Sequence, residues 1–138
     1  MIDEFVNQVF DQQFVEEFGP ESLEKLSPTE LVLTKEQDGQ LVGVLQAVKT
    51  LETIHVKVLV VAKEAQGLGL GSQLLSELEE LARELEVTSI TLSTKSYQAK
   101  DFYLKNGYEQ YASLEDVPLK GVTKYHFIRR IGKGRGWA

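Results

Sequence analysis

The chain contains no cysteine, only two histidines and no long apolar run. Without cysteine it can form no disulfide, no thiolate metal ligand and no thiol nucleophile. His55 and His126 lie far apart and lack the spacing of zinc ligands, so no metal site is expected. No stretch of about 18 uncharged apolar residues occurs, so no membrane span and no membrane partner are expected.

The composition is typical of a single globular domain. The chain has 138 residues, of which 42% are apolar, enough for one core over residues 1–138. The N-terminus has no basic stretch before an apolar block, so it does not resemble a signal peptide, and a cytoplasmic location is expected. A net charge of −6 disfavours a nucleic-acid partner. Residues 132–138 are expected to form a flexible tail.

Apolar spacing predicts a helix, three strands, a helix, a strand, a helix and two closing strands. The predicted ranges, in order, are 2–18, a strand from residue 31, 41–48, 53–61, 70–85, 88–93, 98–105, 108–112 and 124–131. Asp38-Gly39 predicts a tight turn between the first two strands. This order favours an α/β fold on a mixed sheet.

The stretch QGLGLGS, residues 66–72, lies between a predicted strand and a long predicted helix. The first backbone N–H groups of a helix have no intrahelical partner, and the helix dipole favours negative charge beside them. Glycines remove the side chains that would keep an anion away, so this stretch predicts a phosphate site made of main chain. It matches neither the phosphate loop of nucleotide triphosphatases nor the dinucleotide fingerprint. A glycine-rich turn that binds nothing is the alternative.

Two blocks of sequence resemble one known family. VVAKEAQGLGLGSQLL, residues 60–75, resembles the acetyl-CoA signature of the GNAT (Gcn5-related) N-acetyltransferases, Gln/Arg-x-x-Gly-x-Gly/Ala, met by Gln66, Gly69 and Gly71. SYQAKDFYLKNGY, residues 96–108, resembles the family's second block, although Ser96 replaces its usual asparagine. The resemblance runs from about residue 31 to residue 131.

The resemblance implies the GNAT fold, an α/β fold in which helices flank a mixed, mostly antiparallel sheet with one splayed parallel strand pair. It implies that acetyl-CoA is the co-substrate and that a primary amine of a small molecule or peptide attacks the acetyl group directly. Members of the family are often homodimers, but the oligomeric state of this chain stays open. A non-catalytic acyl-CoA-binding sensor or interaction module is the alternative function.

The resemblance further implies a set of site residues. The backbone amides of residues 67–72 would hold the coenzyme's diphosphate, and the pantetheine arm would pair with the edge of Val60-Val61 where the central strand splays from residues 90–94. The N–H of Leu59 would stabilise the oxyanion, and Tyr103 would be the general acid. The implied coenzyme-binding residues are Leu59, Val60, Val61, Gln66, Gly67, Leu68, Gly69, Leu70, Gly71, Ser72, Ser96, Ala99, Phe102 and Tyr103.

The base that deprotonates the amine is less well defined. Strand alternation places Thr53, His55, Lys57 and Leu59 on one face, provided that no bulge intervenes. His55 falls in family register where some members carry a glutamate base, and a pKa of about 6.5 suits that role. A histidine packed at a strand end, Glu52 as the base, or water alone are the alternatives.

The acceptor is not identified by any motif. The acidic net charge would tolerate a cationic acceptor such as a polyamine, an aminoglycoside or a lysine side chain. Net charge does not locate a pocket, however, so the acceptor stays open.

Overall fold

A computed structural model describes residues 1–132, and the elements follow the predicted order. They are α1 (Ile2–Phe18), β1 (Thr29–Gln37), β2 (Gln40–Thr50), β3 (Thr53–Val61), α2 (Leu70–Glu84), β4 (Ser89–Lys95), α3 (Lys100–Lys105), β5 (Glu109–Glu115) and β6 (Thr123–Arg130). Two 3-10 helices, Pro20–Leu26 and Lys63–Ala65, were not predicted from the sequence. The predicted flexible tail lies outside the described residues, apart from residue 132.

The strands form a sheet in the order β1-β2-β3-β4-β6-β5. β3 and β4 are parallel, and the other neighbours are antiparallel. Asp38 and Gly39 both have positive φ, 52° and 79°, as a two-residue hairpin turn requires. The prediction of a mixed, mostly antiparallel sheet with one parallel pair is therefore confirmed.

One face of the sheet is covered by α2. Its apolar residues recur at helical spacing, and Leu74, Leu75, Leu78 and Ala82 are fully buried. They belong to one core cluster together with sheet residues that include Leu45, Ile54, Ile90 and Phe127. This burial holds α2 against the sheet and thereby sets where its N-terminus lies.

The first helix is packed much less well than its periodicity suggests. None of the residues of α1 is buried, and Phe5, Phe10 and Phe18 are each more than half exposed. α1 contacts the 3-10 helix Pro20–Leu26 that follows it. Between residues 1 and 132, no helix combines the length and apolar character needed to cross a membrane.

The sheet opens between its two parallel strands. Pairing joins Thr53–His55 of β3 to Ser89–Thr91 of β4 and then stops. On the other side of β3, Ala47 pairs with Val56 and Gln46 pairs with Val58, so Lys57 is the extra residue of a bulge. The splayed strand pair is therefore present, and the gap begins after Thr91.

The bulge overturns one expectation about which side chains share a face. Leu59 pairs with the buried Leu45 on the face that α2 covers, whereas His55 pairs with Val48 on the opposite face. The expectation that Thr53, His55, Lys57 and Leu59 lie on one face is wrong, because the extra residue shifts the alternation between His55 and Leu59.

Candidate active site

A cavity of about 500 Å³ lies between the splayed end of β3, the glycine stretch 66–72 and α3. We call this the first cavity. Most of the implied coenzyme-binding residues line it. Its lining residues are Leu59, Val60, Val61, Ala65, Gln66, Gly67, Gly69, Leu70, Gly71, Gln98, Ala99, Phe102 and Tyr103.

A second cavity, of about 310 Å³, lies in the gap between β3 and β4. Its lining includes His55, Lys57 and Lys95, and the two cavities share Leu59, Val60, Gln98, Ala99 and Tyr103. The shared residues place Tyr103 where the two spaces meet. In the described part of the chain, no three His, Asp or Glu side chains form a group that could hold a metal ion.

Three implied coenzyme-binding residues, Leu68, Ser72 and Ser96, line neither cavity. Ser96 is instead bound to β6, since its Oγ accepts a hydrogen bond from the N–H of Thr123 at 3.2 Å. Two residues that sequence reasoning missed, Ala65 and Gln98, do line the first cavity.

Gln98 holds the end of β4. Its Oε1 accepts hydrogen bonds from the Lys95 N–H at 2.9 Å and from the Thr94 hydroxyl at 3.2 Å. It occupies a variable position of the second sequence block, so no family signal marked it. These contacts, to residues three and four positions earlier in the chain, hold Gln98 where it lines both cavities.

The glycine stretch leaves its main chain open. Within residues 1–132, the N–H groups from Gly67 to Ser72 donate no hydrogen bond to another group of the chain. Gly67 and Gly69 have φ of +86° and +78°, a region that L side chains rarely adopt, and a Cβ at either would meet no atom within 4 Å. Gly69 is the N-cap of α2. These N–H groups therefore form an open donor set at the positive end of the helix dipole.

Gly71 has a different role. A Cβ there would lie 3.0 Å from Cζ of Phe102, so its absence lets the Phe102 ring pack against the first turn of α2. The glycines of this stretch thus serve both backbone conformation and close packing.

Tyr103 is held by the short helix α3 and the turn that ends it. Gly107 has φ of +87°, and the N–H of Tyr108 donates to the carbonyl of Tyr103 at 3.0 Å. The Tyr103 ring packs against the rings of Phe102, Tyr108 and Phe127, with centroids 5.2, 6.0 and 5.7 Å away. Burial raises the pKa of the Tyr103 phenol, so this group stays protonated over the whole neutral range.

His55 faces the second cavity from β3. Its Nδ1 lies 2.9 Å from Oγ1 of Thr91, which orients the ring. Desolvation lowers the pKa of His55, and the positive charges of Lys124 and His126 lower it further. Glu52, the alternative base, lies in the turn before β3 and lines neither cavity.

This combination of features defines a class of protein. A six-stranded sheet whose one parallel pair splays beside a glycine turn at a helix N-terminus is the fold of the GNAT acetyltransferases. Residues 2–118 match the acetyltransferase (GNAT) domain, and the chain belongs to this family.

Individual relatives agree with that assignment. The chain is 34% identical over 94 residues to a blasticidin-S acetyltransferase from Streptomyces morookaense, covering 67% of this chain and 68% of the relative. It is 30% identical to an acetyltransferase of known structure from Bacillus cereus ATCC 14579, with a TM-score of 0.78 over 93% of this chain and 89% of the other. An aminoglycoside 6'-N-acetyltransferase complexed with coenzyme A shares the fold, with 17% identity and a TM-score of 0.68 over 91% and 88% of the two chains.

The environment of His55 can be measured directly. We expect its imidazole to titrate below the usual histidine range, because burial and two cationic neighbours disfavour the charged form. Lys124→Gln should raise the pKa of His55, since it removes one of these charges. An NMR pH titration of the ring protons tests both statements, and an unchanged His55 titration in the Lys124→Gln variant would contradict the assigned cause.

Proposed function

We propose that the protein is an N-acetyltransferase that moves the acetyl group of acetyl-CoA to a primary amine, with a small molecule favoured over a peptide as acceptor. The observation that carries the proposal is the set of unpartnered N–H groups from Gly67 to Ser72, which faces a cavity that ends at Tyr103. An anion-binding main chain and a buried acid at the two ends of one space suit a coenzyme that carries a diphosphate and a thioester.

The coenzyme would run along the first cavity. Its diphosphate would accept hydrogen bonds from the glycine stretch, and its pantetheine amides would pair with the edge of β3 at Val60 and Val61. That edge has no partner on β4 in the described chain, because pairing stops after His55. Added-strand pairing is an ordinary way for an extended amide chain to bind. The coenzyme A complex of the aminoglycoside acetyltransferase, which has the same fold, supports this assignment.

The proposed reaction is a direct acyl transfer. The neutral amine nitrogen attacks the thioester carbonyl, a C–N bond forms, the C–S bond breaks, and the thiolate leaves with a proton from Tyr103. The N–H of Leu59, a residue that lines both cavities, would stabilise the oxyanion. Because burial raises the pKa of Tyr103, the phenol is protonated at neutral pH and carries a proton for the leaving thiolate.

His55 is the favoured base, either directly or through water. It lines the second cavity, and its lowered pKa keeps it neutral and able to accept a proton at pH 7. Glu52 has less support, because it lies in the turn before β3, next to the part of β3 that is still paired with β4. Water alone stays an alternative.

The relative's name, blasticidin-S acetyltransferase, supports a small-molecule acceptor here. The cytoplasmic location stays a prediction, and the oligomeric state stays open. No contact in the described chain favours the acyl-CoA sensor over the enzyme, and the experiments below separate the two.

The glycine turn offers a matched pair of variants. Gly69→Ala and Gly39→Ala both force alanine into a left-handed conformation, at φ of +78° and +79°, with no atom within 4 Å of the new methyl group. Both should lose roughly 1 kcal/mol of stability. Only Gly69→Ala should weaken acetyl-CoA binding, by about tenfold, measured by isothermal titration calorimetry. Equal affinities in the two variants would remove the glycine turn from coenzyme binding.

Replacing the proposed acid should affect turnover more than binding. Tyr103→Phe should lower kcat about 100-fold while leaving the Kd for acetyl-CoA nearly unchanged, because only the proton donor is lost. A thiol-release assay over a panel of amines measures the rate, and calorimetry measures the Kd. Tyr97→Phe, at a tyrosine that is 70% exposed, is the control and should behave like wild type. Tight acetyl-CoA binding without thiol release from any amine would favour the sensor.

The base can be tested through pH. Since His55 works in its neutral form, the wild-type rate should rise with pH through a pKa below the usual histidine range. His55→Ala should lose this limb of the kcat profile. His126→Gln should keep the rise of the rate with pH but shift it to higher pH, because it removes one of the neighbours that lower the pKa of His55. If His55→Ala reproduces the wild-type profile, the histidine takes no part in deprotonation.

A further inference from the structure

Two lysines lie directly opposite each other beside the second cavity. Lys95 of β4 and Lys124 of β6 are register partners in an antiparallel ladder. The side chains of such partners start about 5 Å apart on the same face, and like charges there destabilise a sheet. Within residues 1–132, neither ammonium group forms an ion pair with a carboxylate. No carboxylate of residues 1–132 therefore compensates either charge at ion-pair distance.

The pair belongs to the acceptor side of the site. Lys95 lines the second cavity together with His55 and Tyr103 and does not line the first cavity. Lys124 acts on His55 strongly enough to be the main charge that lowers its pKa. Lys57 also lines the second cavity, but Glu30 lies 3.8 Å from its ammonium group and neutralises part of its charge. Lys95 on the wall of this cavity and Lys124 beside it thus carry positive charge for which residues 1–132 provide no ion-pair partner.

We infer that the acceptor amine also carries an anionic group, a carboxylate or a phosphate, which binds between Lys95 and Lys124 while the amine faces Tyr103. This inference rests on the proposed acetyltransferase function and narrows its substrate class. Bound there, the anion relieves the repulsion between the two ammonium groups and orients the amine toward the gap. Ser93, which lines the same cavity and lies on the same strand face as Lys95, supplies a hydroxyl group for the remaining polar atoms.

Other uses of these lysines fit less well. The coenzyme's diphosphate already has donors at the glycine stretch, in a cavity that Lys95 does not line. A polycationic acceptor, which the net charge of −6 alone would tolerate, would meet two uncompensated ammonium groups. The local positive charge of the cavity therefore outweighs the negative net charge of the chain, and a polycationic acceptor is disfavoured.

Matched amines test the inference. We would compare kcat/KM for 4-aminobutyrate, its carboxamide and butylamine, whose amino groups are similarly basic, with 3-aminopropylphosphonate as the phosphate-like arm. The carboxylate or the phosphonate should be preferred by about tenfold, mainly through KM. Lys95→Gln and Lys124→Gln should each remove this preference, compared at a pH at which His55 is neutral in wild type and variant alike, while leaving the Kd for acetyl-CoA unchanged. Lys105→Gln, at an exposed lysine of α3, should keep it.

A second measurement does not require turnover. Titration with butyrate should shift the backbone amide NMR signals around Lys95 and Lys124, and Lys124→Gln should abolish these shifts. No shift, no preference for the anionic amines, or a weakened Kd for acetyl-CoA in the lysine variants would each overturn the inference. Butyrate shifts without thiol release from any amine would uphold the anion site and count against the proposed function alone.

Discussion

Backbone pairing between β3 and β4 stops after His55 and Thr91, and the space left by this loss of pairing is the space that the site occupies. Backbone N–H and C=O groups without partners are costly unless water or another group satisfies them. An opened strand edge is therefore a poor feature for stability and a good one for binding an extended amide chain. The bulge at Lys57 belongs to the same distortion, because an extra residue bends the strand and strengthens its twist.

The other parts of the site depend on how the core holds the elements around this gap. Leu74, Leu75 and Leu78 anchor α2 to the sheet and so fix the position of its first turn beside β3. Phe102 reaches that turn only because Gly71 lacks a side chain. The same short helix α3 places Tyr103 at the junction of the two cavities. Ordinary core packing thus holds a donor set, an open strand edge and a buried phenol around the same cavity.

Charge is distributed unevenly over the molecule. The chain is acidic overall, and α1 carries Asp3, Glu4, Asp11, Glu16 and Glu17 without a basic residue. The two regions that face the gap are positive instead, one through unpartnered N–H groups and the other through Lys95 and Lys124. Screening confines such effects to about 10 Å, so a ligand in the gap experiences the local groups and little of the net charge.

The sequence by itself determined the order of the elements, the hairpin at Asp38-Gly39 and the buried stripe of α2. The resemblance of two sequence blocks to the family indicated most of the residues that line the first cavity. Each of these follows from local spacing or from a short motif, because helices, turns and glycine-rich junctions are set by neighbours in the chain. The bulge at Lys57 could not be read from alternation, since it shows only in the register with β2. The pairing of Lys95 with Lys124 likewise depends on contact between distant segments. Tertiary structure decided these, because strand order and register bring together residues that no local pattern relates.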